Sequence, residues 1–352
     1  MPLVPRIAAV ATAVPAFPLD QEAVVAGVAP LFEPIADFAR LRPVFANTGV
    51  RRRFAPVPLD WFSEPHGWAE RNRHYLTASL DLLETAAGRA LDAADTPATD
   101  IGAIIVVSTT GIATPSLDAR LIDRLGLPRT VQRLPIFGLG CAGGAIGLAR
   151  AATMAAAMPD KAVLFLVVEL CSLWFRHDDP EKGNIVGTAL FGDGAAALIL
   201  RCTADGPAIV AAGEHTWPDS LDVMGWEVAD SGLKALFSRD IPSLVTAELG
   251  GVAREFLARH GLGLRDIDRF ICHPGGPKVI DACETAFDLV PGTLTDARQI
   301  LRDFGNMSAA SVMFVLERAL AERRGDGKSW RRALLTAPGP GFSAGFVVLD
   351  HA

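Results

Sequence analysis

The sequence predicts an α/β fold with two similar halves, each a mixed, mostly parallel sheet covered by helices. Apolar runs of strand length alternate with longer helical patterns along the 352 residues, and this alternation is typical of such sheets. The length is sufficient for two domains or for one large duplicated unit. A long-range echo favours duplication, because two small-residue helices start at similar glycine-containing runs about half a chain apart.

The strand-like runs follow one another in the same manner in both halves. In the first half, which we place at 1–205, they are RIAAVATAV at 6–14, IIVVS at 104–108, LPIF at 134–137, AVLFLVV at 162–168 and AAALIL at 195–200. In the second half, 206–352, they are AIVAA at 208–212, RFICH at 269–273, ALLTA at 333–337 and FVVL at 346–349. After LPIF, Gly140 permits a sharp turn from strand to helix.

Composition argues against several classes of function. Lysine and arginine total 33 against 40 aspartates and glutamates, and the net charge of −7 argues against a nucleic-acid-binding protein. No apolar run reaches the roughly 18 residues that span a bilayer, so we expect no membrane span. The start of the chain lacks a signal-peptide pattern, and the five cysteines lack metal-ligand spacing. We therefore expect a cytoplasmic protein without a metal site.

Cys141 is the candidate nucleophile. It lies in the run GLGCAGG at 138–144, directly ahead of a helix made of small and apolar residues. Unpaired N–H groups and the helix dipole at such a start favour thiolate over thiol. Together with His273, they lead us to expect that Cys141 is largely ionised near neutral pH. The alternative is a buried structural thiol, and the flanking glycines favour the nucleophile.

His273 and Asn306 complete a chemical set with Cys141. His273 ends the run RFICH, and the carboxyl ends of strands are where α/β sheets build their sites. Asn306 opens the second small-residue helix in GNMSAAS. A cysteine can attack an acyl group, a histidine can take its proton, and an asparagine is an uncharged hydrogen-bond donor. Uncharged donors suit a carboxylate that loses CO2 and leaves an enolate, as in decarboxylative Claisen condensation.

Four motifs in this order resemble the type III polyketide synthases, the chalcone synthase-like branch of the thiolase superfamily. They are GCAGG around Cys141, ALFGDGAAA with Phe191, HPGGPKV with His273 and GNMSAAS with Asn306. The resemblance implies a thiolase-like fold, a homodimer, acyl-CoA and malonyl-CoA as substrates, and no cofactor. It also implies that Cys141 carries the acyl chain, that His273 and Asn306 drive malonyl-CoA decarboxylation, and that Phe191 is a gatekeeper between CoA tunnel and cavity.

The same resemblance implies further site residues. The cavity residues are Phe191, Cys171, Trp174, Trp226, Ala235, Ser308, Gly339, Pro340 and Gly341. The CoA contacts are Arg40, Arg42, Gly275 and Lys278. The second gatekeeper phenylalanine of the family falls at Ala235, although Phe237 could substitute for it. The neighbouring run Arg51-Arg52-Arg53 is interpreted as a solvated face.

Departures from the plant pattern bear on the product. Cys171, Trp174 and Trp226 stand where the family has threonines and a glycine, so the cavity is not that of a chalcone synthase. We expect the two tryptophans to fill volume left open for a growing polyketide, and Ala235 and Cys171 to open a channel for an alkyl tail. The segments that contain these residues are similar to those of bacterial synthases that form alkylpyrones or alkylresorcinols. We therefore expect few extensions of a fatty acyl starter and a pyrone or resorcinol-type product.

Three other functions share parts of this pattern. A β-ketoacyl synthase III has the same three residues and is the closest alternative, but its histidine is usually followed by Gln-Ala-Asn. A papain-like protease has its cysteine near the mature N-terminus beside a tryptophan. A non-catalytic acyl-binding relative would have lost one of the three residues. At this stage the starter, the number of extensions and the mode of cyclisation stay open.

Overall fold

The computed structural model describes residues 4–33, 38–176, 179, 181–229, 232–325 and 330–351. Their strands are β1 (Arg6–Ala13), β2 (Phe17–Asp20), β3 (Arg52–Ala55), β4 (Ile101–Val107), β5 (Gln132–Ile136), β6 (Ala162–Leu170), β7 (Asp193–Arg201), β8 (Ala208–Thr216), β9 (Met224–Ala229), β10 (Gly232–Phe237), β11 (Arg269–Cys272), β12 (Arg332–Gly339) and β13 (Ser343–Asp350).

The α-helices of these residues are α1 (Gln21–Phe32), α2 (Phe38–Leu41), α3 (Pro43–Asn47), α4 (Trp68–Ala93), α5 (Leu117–Leu125), α6 (Gly143–Ala157), α7 (Lys182–Leu190), α8 (Ile241–Leu244), α9 (Gly250–Arg259), α10 (Pro277–Ala286), α11 (Thr295–Phe304) and α12 (Ser311–Gly325). Within the described ranges, no helix has both the length and the apolar character of a membrane span.

One nine-stranded sheet runs through the molecule in the order β11-β12-β13-β8-β1-β7-β6-β4-β5. Strands β1, β7, β6 and β4 are neighbours joined by two antiparallel pairings and then a parallel one. Strands β8, β13, β12 and β11 repeat this order and these directions. The antiparallel pairing of β1 with β8 joins the two sets. The repetition has the form that a duplicated unit would show.

The α/β fold class and the mixed sheet are confirmed, but fewer of the strand pairings are parallel than the sequence predicts. Parallel pairings lie at the two ends, between β4, β5 and β6 and between β11 and β12. The five pairings between β6 and β12 are antiparallel. The predicted excess of parallel pairs is wrong because a strand buried on both faces has the same apolar sequence in either direction.

Helices α6 and α12 lie in the largest core of the molecule. Alternate residues of β4, such as Ile105 and Val107, face this core, whereas Ile104 and Val106 belong to a second core that α4 covers. Small residues allow α6 and α12 to approach closely. A Cβ at Gly144 would lie only 2.5 Å from the carbonyl oxygen of Ala309. The starts of the two helices therefore meet, as the sequence echo predicts.

Candidate active site

Cys141 lies in a sharp turn between β5 and α6. Gly140 has a φ of 45°, and Gly140–Ala142 form a short 3-10 helix before α6 begins. A side chain at position 140 would be strained, because its Cβ would lie 2.6 Å from Pro340 Cγ. A Cβ at Gly339 would lie 2.5 Å from the amide nitrogen of Ala142. The loop after β12 thus packs directly on the turn that carries the thiol.

The start of the second helix brings Ser308 and Asn306 to the same place. Ser308 Oγ lies 3.7 Å from Cys141 Sγ. The Asn306 side chain is fixed at both ends, because its Nδ2 donates to the Gly275 carbonyl (3.2 Å) and its Oδ1 accepts from the Ser308 amide (2.9 Å). An amide nitrogen carries two hydrogens, so one N–H of Asn306 remains to bind a substrate oxygen.

His273 is buried beside this pair. Its backbone N–H donates to the Thr336 carbonyl (3.0 Å), and a Cβ at Gly275 would lie 3.5 Å from its Cδ2 atom. Neither ring nitrogen has a hydrogen-bond partner among the residues that the structure describes. Burial lowers the pKa of His273 to about 3, so the imidazole is neutral. Because buried polar atoms are normally paired, these two nitrogens mark a place for polar atoms of a substrate.

The surroundings of Cys141 favour the thiol, whereas the sequence predicted a thiolate. The side chain is only 9% exposed, and burial raises its pKa to about 12. The hydrogen bond to Ser308 lowers the pKa, and the charge of Glu169 raises it. With a neutral His273, the free enzyme holds both the thiol and the imidazole in their uncharged forms. The prediction is wrong for this state because it considered the helix start and omitted the loss of hydration.

Glu169 is a site residue that the sequence reasoning missed. It is the penultimate residue of β6 and is fully buried. Its carboxylate accepts the Thr109 N–H at 3.0 Å and the Ser308 hydroxyl at 3.5 Å. Burial raises its pKa to about 8. Glu169 is therefore connected through Ser308 to Cys141. The only signal in the sequence is a carboxylate at the end of an otherwise apolar strand, where α/β sheets place functional groups.

The predicted cavity wall forms a small aromatic cluster around Cys171, Trp174 and Phe191, with Trp226 and Phe237 packed on it. The Trp174 ring centroid lies 3.6 Å from that of Trp226 and 5.8 Å from that of Phe191. Phe237 contacts Phe191 at 5.5 Å between centroids. Phe237 thus occupies the neighbourhood in which the resemblance places a second gatekeeper.

A mainly apolar chamber adjoins this cluster and has a volume of about 80 Å³. Cys171, Trp174, Phe191 and Ala235 line it, whereas Cys141, His273 and Asn306 do not. The apolar lining away from the cluster is Leu19, Val24, Val28, Leu59, Phe62, Phe175 and Leu233. Charged residues also line it, including Lys234, whose Nζ lies 2.6 Å from Glu181 Oε1.

Comparison with known proteins identifies the family. The chalcone and stilbene synthase N-terminal domain matches residues 66–205, and the C-terminal domain of the same family matches residues 208–351. The chain belongs to the chalcone and stilbene synthases. It is 42% identical to a 1,3,6,8-tetrahydroxynaphthalene synthase of Streptomyces peucetius subsp. caesius, over 97% of this chain and 92% of the relative. It is 39% identical to a putative chalcone synthase of Bacillus subtilis (strain 168), over 98% of each.

A solved structure shows the same architecture. The 1,3,6,8-tetrahydroxynaphthalene synthase of Streptomyces coelicolor A3(2), a bacterial type III polyketide synthase, superposes with a TM-score of 0.92 at 30% identity, covering 98% of this chain and 99% of that one. The recognition as a type III polyketide synthase is therefore confirmed, with the thiolase-like fold. This chain is an acyl-CoA condensing enzyme of that group, and the comparisons do not support the β-ketoacyl synthase III alternative.

The residues implied to bind CoA in this polyketide synthase lie in two regions. Arg40 in α2, Arg42 before α3 and Lys278 in α10 are exposed, while Gly275 lies beside His273. A Cβ at Gly49 would lie 3.9 Å from Pro277 Cγ, so the segment after α3 approaches the start of α10.

The arginine run that follows α3 is only partly solvated. Arg51 and Arg52 are exposed, in agreement with a solvated face. For Arg53 that interpretation is wrong, because only 3% of the residue is exposed. In β3 the side chains of Arg52 and Arg53 point to opposite faces, and the second of these faces is covered by the protein.

Proposed function

We propose that this enzyme loads an acyl-CoA starter onto Cys141 and extends it with malonyl-CoA by decarboxylative Claisen condensation. The observation that carries the proposal is the meeting of two helix starts. One brings the Cys141 thiol, and the other brings Ser308, whose Oγ lies 3.7 Å from the sulfur, and the Asn306 amide, which accepts the Ser308 N–H. His273 supplies two buried nitrogens without a partner among the described residues.

Loading requires a base, and neutral His273 is suited to that role. As Cys141 Sγ attacks the thioester carbonyl, His273 accepts the thiol proton and then returns it to the departing CoA sulfur. In the extension step, the malonyl thioester carbonyl accepts hydrogen bonds from Asn306 Nδ2 and a His273 N–H. The carboxylate leaves as CO2, and the electron pair passes to the enolate, whose carbon attacks the acyl carbonyl on Cys141. The bond from that carbonyl to Cys141 Sγ then breaks, so that the sulfur leaves as thiolate and the extended chain stays on CoA.

The chamber supports a starter with an alkyl tail. Its apolar lining would bury methylene groups, and its wall includes Cys171 and Ala235, the two residues expected to open such a channel. Trp174 and Trp226 contact each other and occupy volume next to Phe191. We therefore propose few extensions of a fatty acyl starter and cyclisation to a pyrone or resorcinol-type product.

A second candidate product is supported by the relatives. The relative at 42% identity is a tetrahydroxynaphthalene synthase, and a relative from Pseudomonas fluorescens at 31% identity is a phloroglucinol synthase. Both products, by their names, carry hydroxyl groups on alternate carbons and no alkyl side chain. That pattern fits a chain of two-carbon units without a separate starter. On this alternative, malonyl-CoA alone would suffice.

The test supplies the enzyme with labelled malonyl-CoA, alone and with acyl-CoAs of increasing alkyl length or an aromatic acyl-CoA, and identifies products by mass spectrometry. Alkyl pyrones or resorcinols support the first candidate, and a polyhydroxylated aromatic from malonyl-CoA alone supports the second. In parallel, Asn306→Ala should reduce decarboxylation by about 10²–10³ and leave starter loading nearly intact. Equal losses in both steps would contradict the proposed division between Cys141 and Asn306.

Several properties of the whole chain are also proposed. The repeated strand order supports a division into halves at 1–205 and 206–352. Strand β5 is an edge of the sheet, and the exposed side chains of Phe137 (59%) and Ile112 (51%) follow β5 and β4, which supports a homodimer. The five free, buried cysteines fit a reducing compartment, and we propose the cytoplasm.

The CoA contacts remain proposals as well. Gly275 and Lys278 lie on the segment that begins beside His273 and continues into α10. Arg51 is a further candidate, because it is exposed and follows Gly49, the residue that approaches Pro277. Arg40 and Arg42 precede it on the same stretch of chain. Exposed cations at these positions are suited to the phosphates of CoA.

A further inference from the structure

Arg53 is a buried arginine surrounded by backbone carbonyls. Its Nη1 donates to the carbonyls of Thr188 (2.5 Å) and Phe191 (2.9 Å), and its Nη2 donates to that of Ala189 (3.0 Å). These carbonyls lie in the last turn of α7 and at the residue just after it, where main-chain acceptors have no partner within the helix. A cation at a helix C-terminus also interacts favourably with the helix dipole.

Other residues fix Arg53 in turn. Its Nη2 also donates to Gln21 Oε1, and Gln21 Nε2 donates to the Ala189 carbonyl (2.9 Å) and to Thr48 Oγ1 (3.2 Å). Within the described residues, no carboxylate lies within ion-pair distance of Arg53. Burial lowers the pKa of Arg53 to about 10 and the charge of buried Asp193 raises it, so the guanidinium stays a cation near neutral pH. The guanidinium therefore forms its hydrogen bonds with the end of α7 and with Gln21, and it does not form a surface salt bridge.

The end of α7 is bonded directly to the catalytic asparagine. The Asn306 N–H donates to the Leu190 carbonyl (2.9 Å), and the Gly192 N–H donates to the Asn306 carbonyl (3.0 Å). Phe191 and Asn306 thus form a short parallel bridge. The backbone at this bridge is closely packed, since a Cβ at Gly192 would lie 2.0 Å from the Phe304 carbonyl oxygen. A displacement of the α7 end would carry both Phe191 and Asn306 with it.

We propose that Arg53 is a positioning residue that holds the backbone of Asn306, and with it the Phe191 side chain, in register with Cys141. Arg53 acts on the main chain and does not contact the reacting atoms. The inference rests on the proposed function, because it assigns to Arg53 the placement of the donor that Asn306 supplies in decarboxylation. Loading of a short starter depends on Cys141 and His273, neither of which Arg53 holds, whereas a long starter would also meet Arg53 and Phe191 in the lining of the chamber.

The test compares three variants of the full-length enzyme. Arg53→Met keeps the length of the side chain but removes the donor to the carbonyls of Thr188 and Phe191. Arg53→Lys keeps the charge but loses the planar set of donors. Arg52→Met is the matched control, because Arg52 is the neighbouring, exposed residue of β3. For each variant, loading of a short acyl-CoA is measured by intact-protein mass, malonyl-CoA decarboxylation by CO2 release, and backbone protection by hydrogen exchange over residues 186–194 and 302–310.

We expect Arg53→Met to lose about 10²-fold in decarboxylation, the scale of a displacement of about 1 Å, with loading changed far less. Arg53→Lys should lie between Met and the parent, and both variants should lose protection over those two segments first. If Arg53→Met does not fold, the test is made with Arg53→Lys, by comparing its ratio of decarboxylation rate to loading rate with that of the parent. An unchanged ratio in a folded variant, or uniform loss of protection, would overturn the inference.

Asn306→Ala separates this inference from the proposed function. A decarboxylation defect in Asn306→Ala with none in Arg53→Met would refute the role of Arg53 alone. No defect in Asn306→Ala would refute the proposed function itself. Arg52→Met should match the parent in every measurement.

Discussion

Filling the chamber that adjoins the aromatic cluster should shorten the alkyl starter that the enzyme prefers. Val28, in α1, lines the chamber and is buried, so Val28→Phe would place a ring in space that a tail would occupy. Burial of one methylene contributes about 0.8 kcal/mol, which corresponds to roughly a fourfold change in kcat/KM. A ring that excludes three methylenes would therefore reduce kcat/KM by about 50-fold for long starters.

The measurement is kcat/KM for a series of saturated acyl-CoAs, in the parent and in Val28→Phe. The parent should show a rise with each added methylene and then a plateau, and the plateau of the variant should begin several methylenes earlier. Short starters should react equally well in both proteins. Val25→Phe is the matched control, since Val25 lies on the same helix and does not line the chamber. An unchanged length profile in folded Val28→Phe would refute the assignment of the chamber to the starter.

Three further predictions test other parts of the structure. Because burial raises the pKa of Cys141 to about 12, iodoacetamide inactivation of the free enzyme should keep rising above pH 9, and a plateau below about pH 8 would reveal a preformed thiolate. Burial raises the pKa of Glu169 from 4.5 to about 8, so the folded state favours the protonated carboxyl and the free energy of unfolding should fall as the pH rises from about 4.5 to 8. Melting temperatures of Glu169→Gln, measured over the same pH range, should lack this decrease. An equal decrease in the parent and the variant would contradict the prediction. Sedimentation at low micromolar concentration should give about twice 37.2 kDa, and a fully active monomer would exclude the homodimer.

The candidate residues Cys141, His273 and Asn306 could be selected from the sequence because each occupies a position with a strong local signal. Gly140 before Cys141 and the Pro-Gly loop after His273 indicate chain turns at the ends of strands, and Asn306 opens a helix of small residues. The structure places Asn306 and Ser308 at the turn of Cys141, and His273 beside them. The strand runs were predictable for the same reason, since their apolar character reflects burial on both faces.

What the sequence did not indicate depends on contacts between distant segments. The chemical state of Cys141 is set by the burial of its side chain, which no local pattern contains. Glu169 and Arg53 are charged residues in or beside apolar strands, and their partners lie at Ser308 and at the end of α7. Strand direction was also hidden, because β12 and β13 are as apolar in an antiparallel pair as they would be in a parallel one.

The measurement that tests the central claim most directly uses variants in which one cysteine is replaced by alanine. Each variant is incubated with a productive starter, and its acylation is measured by intact-protein mass spectrometry. Cys141→Ala should take up no acyl group. Cys171→Ala, which removes the neighbouring buried thiol in the aromatic cluster, should take up one acyl group as the parent does. Stoichiometric acylation of Cys141→Ala, or its loss in folded Cys171→Ala, would contradict the assignment of Cys141 as the nucleophile.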